Sequence, residues 1–156
     1  MAPTFVEGQA IIAVSVSPDQ IQRGDPVVYR LSNGGLYFKR VVGLPGDTVV
    51  YEDLRLTING NLIELERSRE ATPAEPVYVE HLDGRDHEIL ITNAYSVKDG
   101  VYTVPEGHYF VMGDNRDNSK DSRFIEAIPA SHLVGEAVRV WMHMVGPSWP
   151  HRERIG

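Results

Sequence analysis

Short apolar segments alternate with polar positions along most of the chain, and clusters of glycine, proline and asparagine separate them. A period of two in segments rich in β-branched and aromatic residues is typical of half-buried β-strands. It predicts strands over residues 10–16, 26–31, 36–42, 77–81, 88–92, 107–112 and 133–144. No long segment repeats apolar residues at the helical spacing of about 3.6, and only residues 130–133 suggest a short helical turn. The pattern therefore predicts an all-β or β-dominated fold.

Residues that favour turns lie between several of these strands. Asn33-Gly34-Gly35 is typical of a hairpin loop, and Leu44-Pro45-Gly46-Asp47 carries proline and glycine at the two central positions of a type II turn. Asp83-Gly84 could connect another antiparallel ribbon. Residues 66–76 are polar, contain two prolines and predict a longer loop.

The hairpin around Asn59-Gly60 predicts a specific register, because Asn-Gly supplies the positive φ angles of a type I′ loop. Such a loop would pair Leu56 with Ile63 and Leu54 with Leu65. The four apolar side chains would then share one face of a half-buried ribbon.

The chain has 156 residues, which is the size of about one domain. Apolar residues make up 42% and charged residues 24% of it, so the chain is neither disordered nor collagen-like. We expect one domain over residues 1–156. Residues 53–103 are expected to form an inserted β-rich lobe on a core that both ends of the chain build.

The charge and the cysteine count exclude several classes of protein. The 15 lysine and arginine residues stand against 22 aspartate and glutamate residues, and a net charge of −7 argues against a general nucleic-acid binder. The absence of cysteine excludes disulfides, cysteine-ligated zinc and cysteine nucleophiles. No apolar segment approaches the roughly 18 residues of a membrane span, and the N-terminus lacks the basic region of a signal peptide. We expect the chain as given to be soluble or peripheral.

Lys39, in the segment 37–47, is the first candidate for chemistry. Strict alternation places its side chain on the same face as Tyr37 and Val41, while Arg40 points to the other face. A buried lysine loses hydration, which lowers its pKa and makes the neutral amine available as a general base. The alternative is a lysine on an edge strand whose ammonium group reaches water.

The segment 113–123 is rich in side chains that hydrogen-bond to nearby backbone, which predicts a rigid loop. Its carboxylates lie beside arginines and suggest ion pairs, with Asp114 taken as solvent-facing. The spacing is not that of a calcium loop, because the glycine precedes the acids and no closing glutamate follows. Taken by itself, the segment favours a structural role, in which Asp121 and Arg123 could form a surface pair worth under about 1 kcal/mol.

Three segments of the chain match the motifs of one known family. Residues 1–4 match Ser-Met-x-Pro-Thr from its methionine onward, and residues 37–47 match Tyr-x-Lys-Arg-x-x-Gly-x-Pro-Gly-Asp. Residues 113–123 match Gly-Asp-Asn-x-x-x-Ser-x-Asp-Ser-Arg. Together they resemble bacterial signal peptidase I, the membrane-bound serine protease that removes signal peptides from exported proteins. The resemblance implies a mainly β fold of coiled antiparallel sheets.

In that family a lysine takes the proton of a serine, the serine attacks the peptide carbonyl, and water hydrolyses the acyl-enzyme. The resemblance implies that Lys39 is the general base and that Ser119 orients its amine. The implied supporting residues are Arg40, Asp114, Arg116, Asp121 and Arg123. The implied residues of the shallow substrate pockets are Met1, Phe5, Tyr37 and Phe38. Preproteins with an Ala-x-Ala type cleavage site are the implied substrates, and we expect no cofactor and no metal ion.

The family's nucleophilic serine precedes the methionine that matches Met1, and the printed sequence does not contain it. Ser119 is the one remaining serine with a motif-based reason to lie near Lys39, and the family uses it for positioning. We therefore expect the chain as given to be inactive. The implied location is the outer, periplasmic side of the bacterial plasma membrane, where Trp141 and Trp149 would contact the membrane surface.

Three alternatives remain open at this point. One is a related processing protease, such as a pilin or conjugation peptidase or a self-cleaving repressor. Another is a non-catalytic relative that binds an extended peptide by strand addition. The third is a metal enzyme built on His81, Asp83, Asp86 and His87, although these residues lack a typical ligand spacing.

Overall fold

The computed structural model of the chain describes residues 9–68, 71–72, 76–92 and 98–143. Its strands are β1 (Gln9–Val14), β2 (Pro26–Arg30), β3 (Leu36–Gly43), β4 (Thr48–Glu52), β5 (Arg55–Ile58), β6 (Asn61–Leu62), β7 (Glu64–Arg67), β8 (Val77–Leu82), β9 (Arg85–Leu90), β10 (Gly100–Thr103), β11 (His108–Met112), β12 (Ile128–Pro129) and β13 (Leu133–His143). The helices are α1 (Ser122–Ile125) and the 3-10 turns Pro18–Gln20 and Ala130–His132. Within the described ranges, no helix has the length and apolar character needed to cross a membrane.

The largest sheet has six strands in the order β1-β13-β2-β3-β11-β12, and every neighbouring pair is antiparallel. β1 and β13, from opposite ends of the described chain, lie side by side. β3 lies inside the sheet: β2 pairs with its residues 36–40 on one edge, and β11 pairs with residues within 40–43 on the other. This position matters because β3 carries Lys39.

Two smaller antiparallel sheets have the orders β10-β4-β5-β6 and β7-β8-β9. The three-stranded sheet falls inside residues 53–103, the segment expected to form an inserted lobe. The four-stranded sheet joins β4, which precedes that segment, to β10 near its end. The division of the domain into a core and an inserted lobe therefore stays a prediction.

Successive residues of β3 pack into two different apolar clusters. Val41 is fully buried in a cluster that contains Tyr29, and Val42 is fully buried in a cluster that contains Tyr51 and Phe110. Successive side chains of a strand point to opposite faces, so β3 is covered on both sides. Burial of each such apolar side chain contributes about 1.5–3 kcal/mol.

The predicted mainly β fold of antiparallel sheets and its main turns are confirmed. Strands β4, β10 and β12 lie outside the predicted ranges, and β7 extends into the predicted loop over 66–76. Gly46 has a φ of 85°, which a type II turn requires at that position, and the Asp47 amide donates to the Leu44 carbonyl at 3.0 Å. Asn59-Gly60 has φ values of 51° and 81°, and Asp83-Gly84 has 51° and 75°. Both pairs have the positive φ angles of type I′ hairpin loops.

One predicted pairing is wrong. Leu56 does face Ile63, because the Ile63 amide donates to the Leu56 carbonyl at 2.8 Å and both side chains are buried. Asp53 and Leu54, however, form the tight turn between β4 and β5, at φ values of 48° and 64°. Leu65 lies on β7, in the three-stranded sheet. The predicted ribbon ends after Ile63 because the chain leaves one sheet there and enters another.

Helix α1 is an element that the apolar pattern does not predict. It has four residues and begins after Asp121, whose carboxylate accepts a hydrogen bond from the Arg123 amide at 3.3 Å. Aspartate is a preferred residue at this capping position because its oxygen satisfies an exposed amide of the first turn. A single turn is too short to show a helical period, whereas the predicted turn near residues 130–133 is confirmed as a 3-10 turn.

Gly43, at the end of β3, offers a test of this packing. A methyl group there would lie 2.7 Å from Cγ2 of Val49 and 2.9 Å from Cγ2 of Val104. We expect Gly43→Ala to lower the free energy of unfolding by about 1–3 kcal/mol, because an overpacked core must shift its side chains. Urea denaturation followed by circular dichroism measures this difference, and an unchanged unfolding free energy would contradict the described packing.

Candidate active site

Lys39 lies opposite Val27 of β2, in the interior of the six-stranded sheet. The interpretation of this lysine as an edge-strand residue is therefore wrong. Its side chain is partly buried, and strand alternation places it on the face where Tyr37 and Val41 belong to an apolar cluster. Lys39 therefore shares one face of the strand with apolar neighbours, as the alternation predicts.

Burial lowers the pKa of the Lys39 amine below its ordinary value of 10.5, because the ammonium form loses hydration. Asp121 and Asp114 oppose this shift, since their negative charges favour the ammonium form, and Arg123 lowers the pKa further. The net effect is a lower pKa. The amine is consequently neutral over a wider pH range than an ordinary lysine, which suits a general base.

Lys39 and Ser119 meet at Gly113, the residue that follows β11. A methyl group on Gly113 would overlap the Ser119 Oγ and would lie 3.4 Å from the Lys39 Nζ. The Ser119 Oγ is buried and has no hydrogen-bond partner among the residues that the structure describes. The structure therefore brings the predicted serine and lysine together, and the absence of a side chain at Gly113 is what makes room for them.

Asp121 is the centre of the hydrogen bonds that shape the segment 113–123. Its Oδ2 accepts from the Gly113 amide at 2.9 Å, and its two oxygens accept from Arg123 Nε and Nη2, each at 2.8 Å. Both side chains of this ion pair are completely buried. The interpretation of Asp121 and Arg123 as a surface pair is therefore wrong.

Arg40 and Asp114 form a second buried pair. Arg40 Nε and Nη2 donate to the two Asp114 oxygens at 2.9 and 2.8 Å, and Arg40 Nη1 donates to the Gly24 carbonyl at 2.8 Å. Asp114 is fully buried, so the assumption that it faces solvent is wrong. The reason is that Arg40, on the opposite face of β3 from Lys39, supplies the two hydrogen bonds that a buried carboxylate needs.

Arg116 pairs with Glu80, a residue of β8 that lies outside the family motifs. Arg116 Nη1 and Nη2 donate to the Glu80 oxygens at 2.6 and 2.5 Å. Burial alone would raise the pKa of Glu80, but the charge and hydrogen bonds of Arg116, together with the nearby His87, outweigh it and lower that pKa to about 2. The one signal for Glu80 in the sequence is a carboxylate on the same side of β8 as the buried Leu82.

Comparison with known proteins shows the family of this chain. The family model described as "Signal peptidase, peptidase S26" matches residues 1–142. The chain belongs to this family. It is 42% identical over 151 residues to signal peptidase I of Pseudomonas fluorescens, which covers 83% of the chain and 50% of that protein. It is 40% identical over 160 residues to signal peptidase I of Pseudomonas aeruginosa PAO1, which covers 86% of the chain and 55% of that protein.

A solved structure agrees with this assignment to the signal peptidase family. The crystal structure of a signal peptidase I from Enterococcus faecalis V583 matches with a TM-score of 0.50 and 29% identity, covering 76% of the chain and 97% of the solved chain. The chain spans about half the length of the Pseudomonas relatives. The predicted resemblance to bacterial signal peptidase I is confirmed.

The residues predicted to line the substrate pockets are only partly covered by the described structure. The ring of Tyr37 stacks on that of Tyr29 at a centroid distance of 5.7 Å, and its hydroxyl accepts from the Asn33 side chain at 3.0 Å. Phe38 is partly buried on β3. The remaining predicted contacts lie outside the described side chains: Met1, Phe5, Trp141 and Trp149.

The alternative metal site is not assembled in the described part of the chain. His81 Nδ1 lies 2.8 Å from Asp86 Oδ1, and Asp83 instead accepts from Arg23 Nε at 2.6 Å. No group of three or more potential metal ligands occurs among the described residues. His87 faces Glu80, with 3.2 Å between Nε2 and Oε2.

Ser122 and Tyr51 also contact residues of the site, although the sequence motifs assigned neither of them a role. The Ser122 hydroxyl accepts from the Val111 amide at 2.9 Å, which joins the first turn of α1 to β11. The guanidinium carbon of Arg123 lies 4.9 Å from the centre of the Tyr51 ring. Such cation–π contact supports the buried arginine on the face that Asp121 does not occupy.

The altered pKa of Lys39 can be measured directly, because the sequence contains just two other lysines, Lys98 and Lys120. Reductive methylation with ¹³C gives NMR signals for each, and Lys39→Arg assigns the signal of Lys39. We expect the Lys39 signal to titrate with a midpoint below 10.5, because burial disfavours the ammonium form. A midpoint at or above 10.5 would contradict the described environment.

Proposed function

We propose that the protein is a signal peptidase I that removes N-terminal signal peptides from exported preproteins by a serine–lysine mechanism. The observation that supports this best is the meeting of the Lys39 amine and the Ser119 hydroxyl at Gly113. A desolvated amine next to a buried hydroxyl is the arrangement that a positioned general base needs. The chain spans about half of its Pseudomonas relatives, so the activity of the whole protein is proposed from this site and from the family.

In this proposal the nucleophile is the serine that the family motif places directly before Met1. The neutral Lys39 Nζ accepts the hydroxyl proton while the serine Oγ bonds to the carbonyl carbon of the scissile peptide. The C–N bond then breaks, and the Lys39 ammonium gives its proton to the departing amine. Water hydrolyses the resulting ester, with Lys39 again accepting a proton, and the serine is regenerated.

Lysine can replace histidine in this chemistry because burial brings its pKa within a useful range. Ser119 is proposed to orient the amine, since its buried Oγ borders Gly113, as the Lys39 Nζ does, and no hydrogen bond from the described residues occupies it. The five supporting residues are proposed to keep the segment 113–123 in place: Arg40, Asp114, Arg116, Asp121 and Arg123. Their buried ion pairs hold that segment against β3 and β8.

The proposed substrates carry small side chains one and three places before the cleaved bond, as in Ala-x-Ala. Tyr37 and Phe38 on β3 are proposed to line the pockets for them, together with Met1 and Phe5. The proposed location is the outer side of the bacterial plasma membrane, with Trp141 near the membrane surface together with Trp149. A peptide-binding relative without catalysis and a related processing protease are the alternatives that experiment can separate.

A cleavage assay on a preprotein with an Ala-x-Ala site tests the proposal. Three proteins are compared: the printed chain, the chain extended by a segment that ends in serine directly before Met1, and the extended chain with Lys39→Ala. We expect no cleavage by the printed chain and efficient cleavage only by the extended chain with Lys39 intact. Lys39→Ala should lower kcat/KM by about 10²–10⁴-fold, because the general base is lost.

Lys98→Ala is the matched control, since it removes an exposed lysine from the same protein and should leave kcat/KM unchanged. Absence of cleavage by a folded extended chain would contradict the proposed enzyme and favour the peptide-binding alternative. Cleavage that survives Lys39→Ala would contradict the role of Lys39 and favour a different processing mechanism.

The pH dependence of cleavage follows from the same amine. The rate should rise with pH as Lys39 loses its proton, and the rise should lie below pH 10.5 because burial lowers the pKa of Lys39. The midpoint for kcat/KM should agree with the midpoint of the Lys39 NMR signal in the same protein. A rate whose midpoint does not follow that signal would show that another group is the base.

A further inference from the structure

We infer that Glu80, on strand β8 of the three-stranded sheet, is a positioning residue for the Lys39 site. The inference rests on the proposed function, in which Lys39 is the general base. Its physical basis is a series of contacts between buried groups that leads from β8 to Gly113. Glu80 lies outside the three segments that match the family motifs, so these contacts are what assigns it a role.

The first contact is the ion pair of Glu80 with Arg116. Both side chains are buried, at 3% and 1% exposure, and two hydrogen bonds of 2.6 and 2.5 Å join them. Two parallel bonds of this kind fix the guanidinium in both distance and angle. Within the described residues no other hydrogen bond reaches the Arg116 guanidinium, and its Nε has no partner. The direction of the Arg116 side chain therefore depends on Glu80.

The second contact joins the backbone of Arg116 to the side chains of Arg123 and Asp121. The Arg116 carbonyl accepts from Arg123 Nη2 at 2.6 Å, and the same nitrogen donates to Asp121 Oδ2 at 2.8 Å. Asp121 Oδ2 also accepts the Gly113 amide at 2.9 Å. Gly113 borders the amine of Lys39. A displacement of the Arg116 backbone would therefore alter the hydrogen bond to Arg123 and, through Asp121, the bond to the Gly113 amide.

The third contact attaches the same segment to the neighbouring strand β9. The Leu90 amide donates to the Asp114 carbonyl, and the Arg116 amide donates to the Leu90 carbonyl, each at 2.9 Å. These bonds form a parallel bridge between Leu90 and Asn115. The three-stranded sheet thus holds the active-site segment by backbone bonds from β9 and by one charged side chain from β8.

Charged groups surround both ends of this series of contacts. Arg116 and His87 face Glu80. The hydroxyl of Tyr51 contributes to the electrostatic environment of Arg116 and raises its pKa. Asp121, Asp114 and Arg123 act on the amine of Lys39. Asp114 acts on both Arg116 and the Lys39 amine, so the two ends are also coupled through space. Loss of the Glu80 charge would by itself lower the pKa of Lys39, because it leaves the positive charge of Arg116 uncompensated. A rise of that pKa would therefore report movement of the connecting segment.

The test uses the printed chain and the ¹³C-methyl NMR signals of its three lysines. Glu80→Gln keeps the shape of the side chain and removes its charge. Arg116→Lys is a second variant, which keeps a positive charge opposite Glu80 but cannot form two parallel hydrogen bonds. Glu66→Gln is the matched control, because it makes the same chemical change on β7, where the side chain is 67% exposed.

In folded Glu80→Gln and Arg116→Lys proteins we expect the Lys39 signal to move and to titrate at higher pH, because a loosened segment admits water to the amine. The signals of Lys98 and Lys120 should stay in place, and Glu66→Gln should move none of the three. An unmoved Lys39 signal in a folded variant overturns the inference. Loss of folding in both variants also overturns it, since it would assign the pair to stability alone.

The chain extended by the serine separates this inference from the proposed function. There, Glu80→Gln should lower kcat by about 10- to 100-fold with little change in KM, because misplacing reacting groups by roughly 1 Å has this effect. If the extended chain does not cleave while the Lys39 signal still responds to Glu80→Gln, the proposed function fails and the positioning of Lys39 by Glu80 stands. Normal kcat together with an unmoved signal overturns the inference alone.

Discussion

The candidate active site depends on keeping the buried charges of the segment 113–123 paired. Three arginines do this, and each donates two hydrogen bonds to one carboxylate, in the pairs Arg40–Asp114, Arg116–Glu80 and Arg123–Asp121. Removing one partner of such a pair leaves an uncompensated buried charge, which is strongly destabilising. Two parallel bonds also fix angle as well as distance. The segment that presents Ser119 to Lys39 therefore has a defined shape although it contains little regular secondary structure.

Buried ion pairs are a weak source of net stability, because the desolvation of both charges offsets most of their attraction. Apolar side chains of similar volume would hold the segment at comparable free energy but would fix no hydrogen-bond direction. The charges also set the field at Lys39, where Asp121 and Asp114 raise the pKa, Arg123 lowers it, and burial outweighs them. The same pairs thus hold the segment beside Lys39, and the two aspartates limit how far the pKa of the amine falls.

Much of the fold could be predicted because strands and turns follow local rules. Alternating apolar residues and Asn-Gly or Pro-Gly pairs located most of the larger strands and the main hairpins. The errors occur where tertiary contacts override those rules. Leu65 does not pair with Leu54, because the chain passes from one sheet to another after Ile63. Asp114 can be buried because Arg40 donates hydrogen bonds to its carboxylate. Helix α1 could not be predicted because a single capped turn has no period.

The sequence by itself determined the β-rich composition of the fold, its turns, and the lysine and serine motifs that identify the family. Only the tertiary structure decided that β3 is an interior strand, that Lys39 is partly buried, and that its amine and Ser119 meet at Gly113. It also decided that Glu80 of another sheet is the partner of Arg116. The physical reason is that pattern rules describe neighbours along the chain, whereas burial and ion pairing depend on which distant segments the fold brings together.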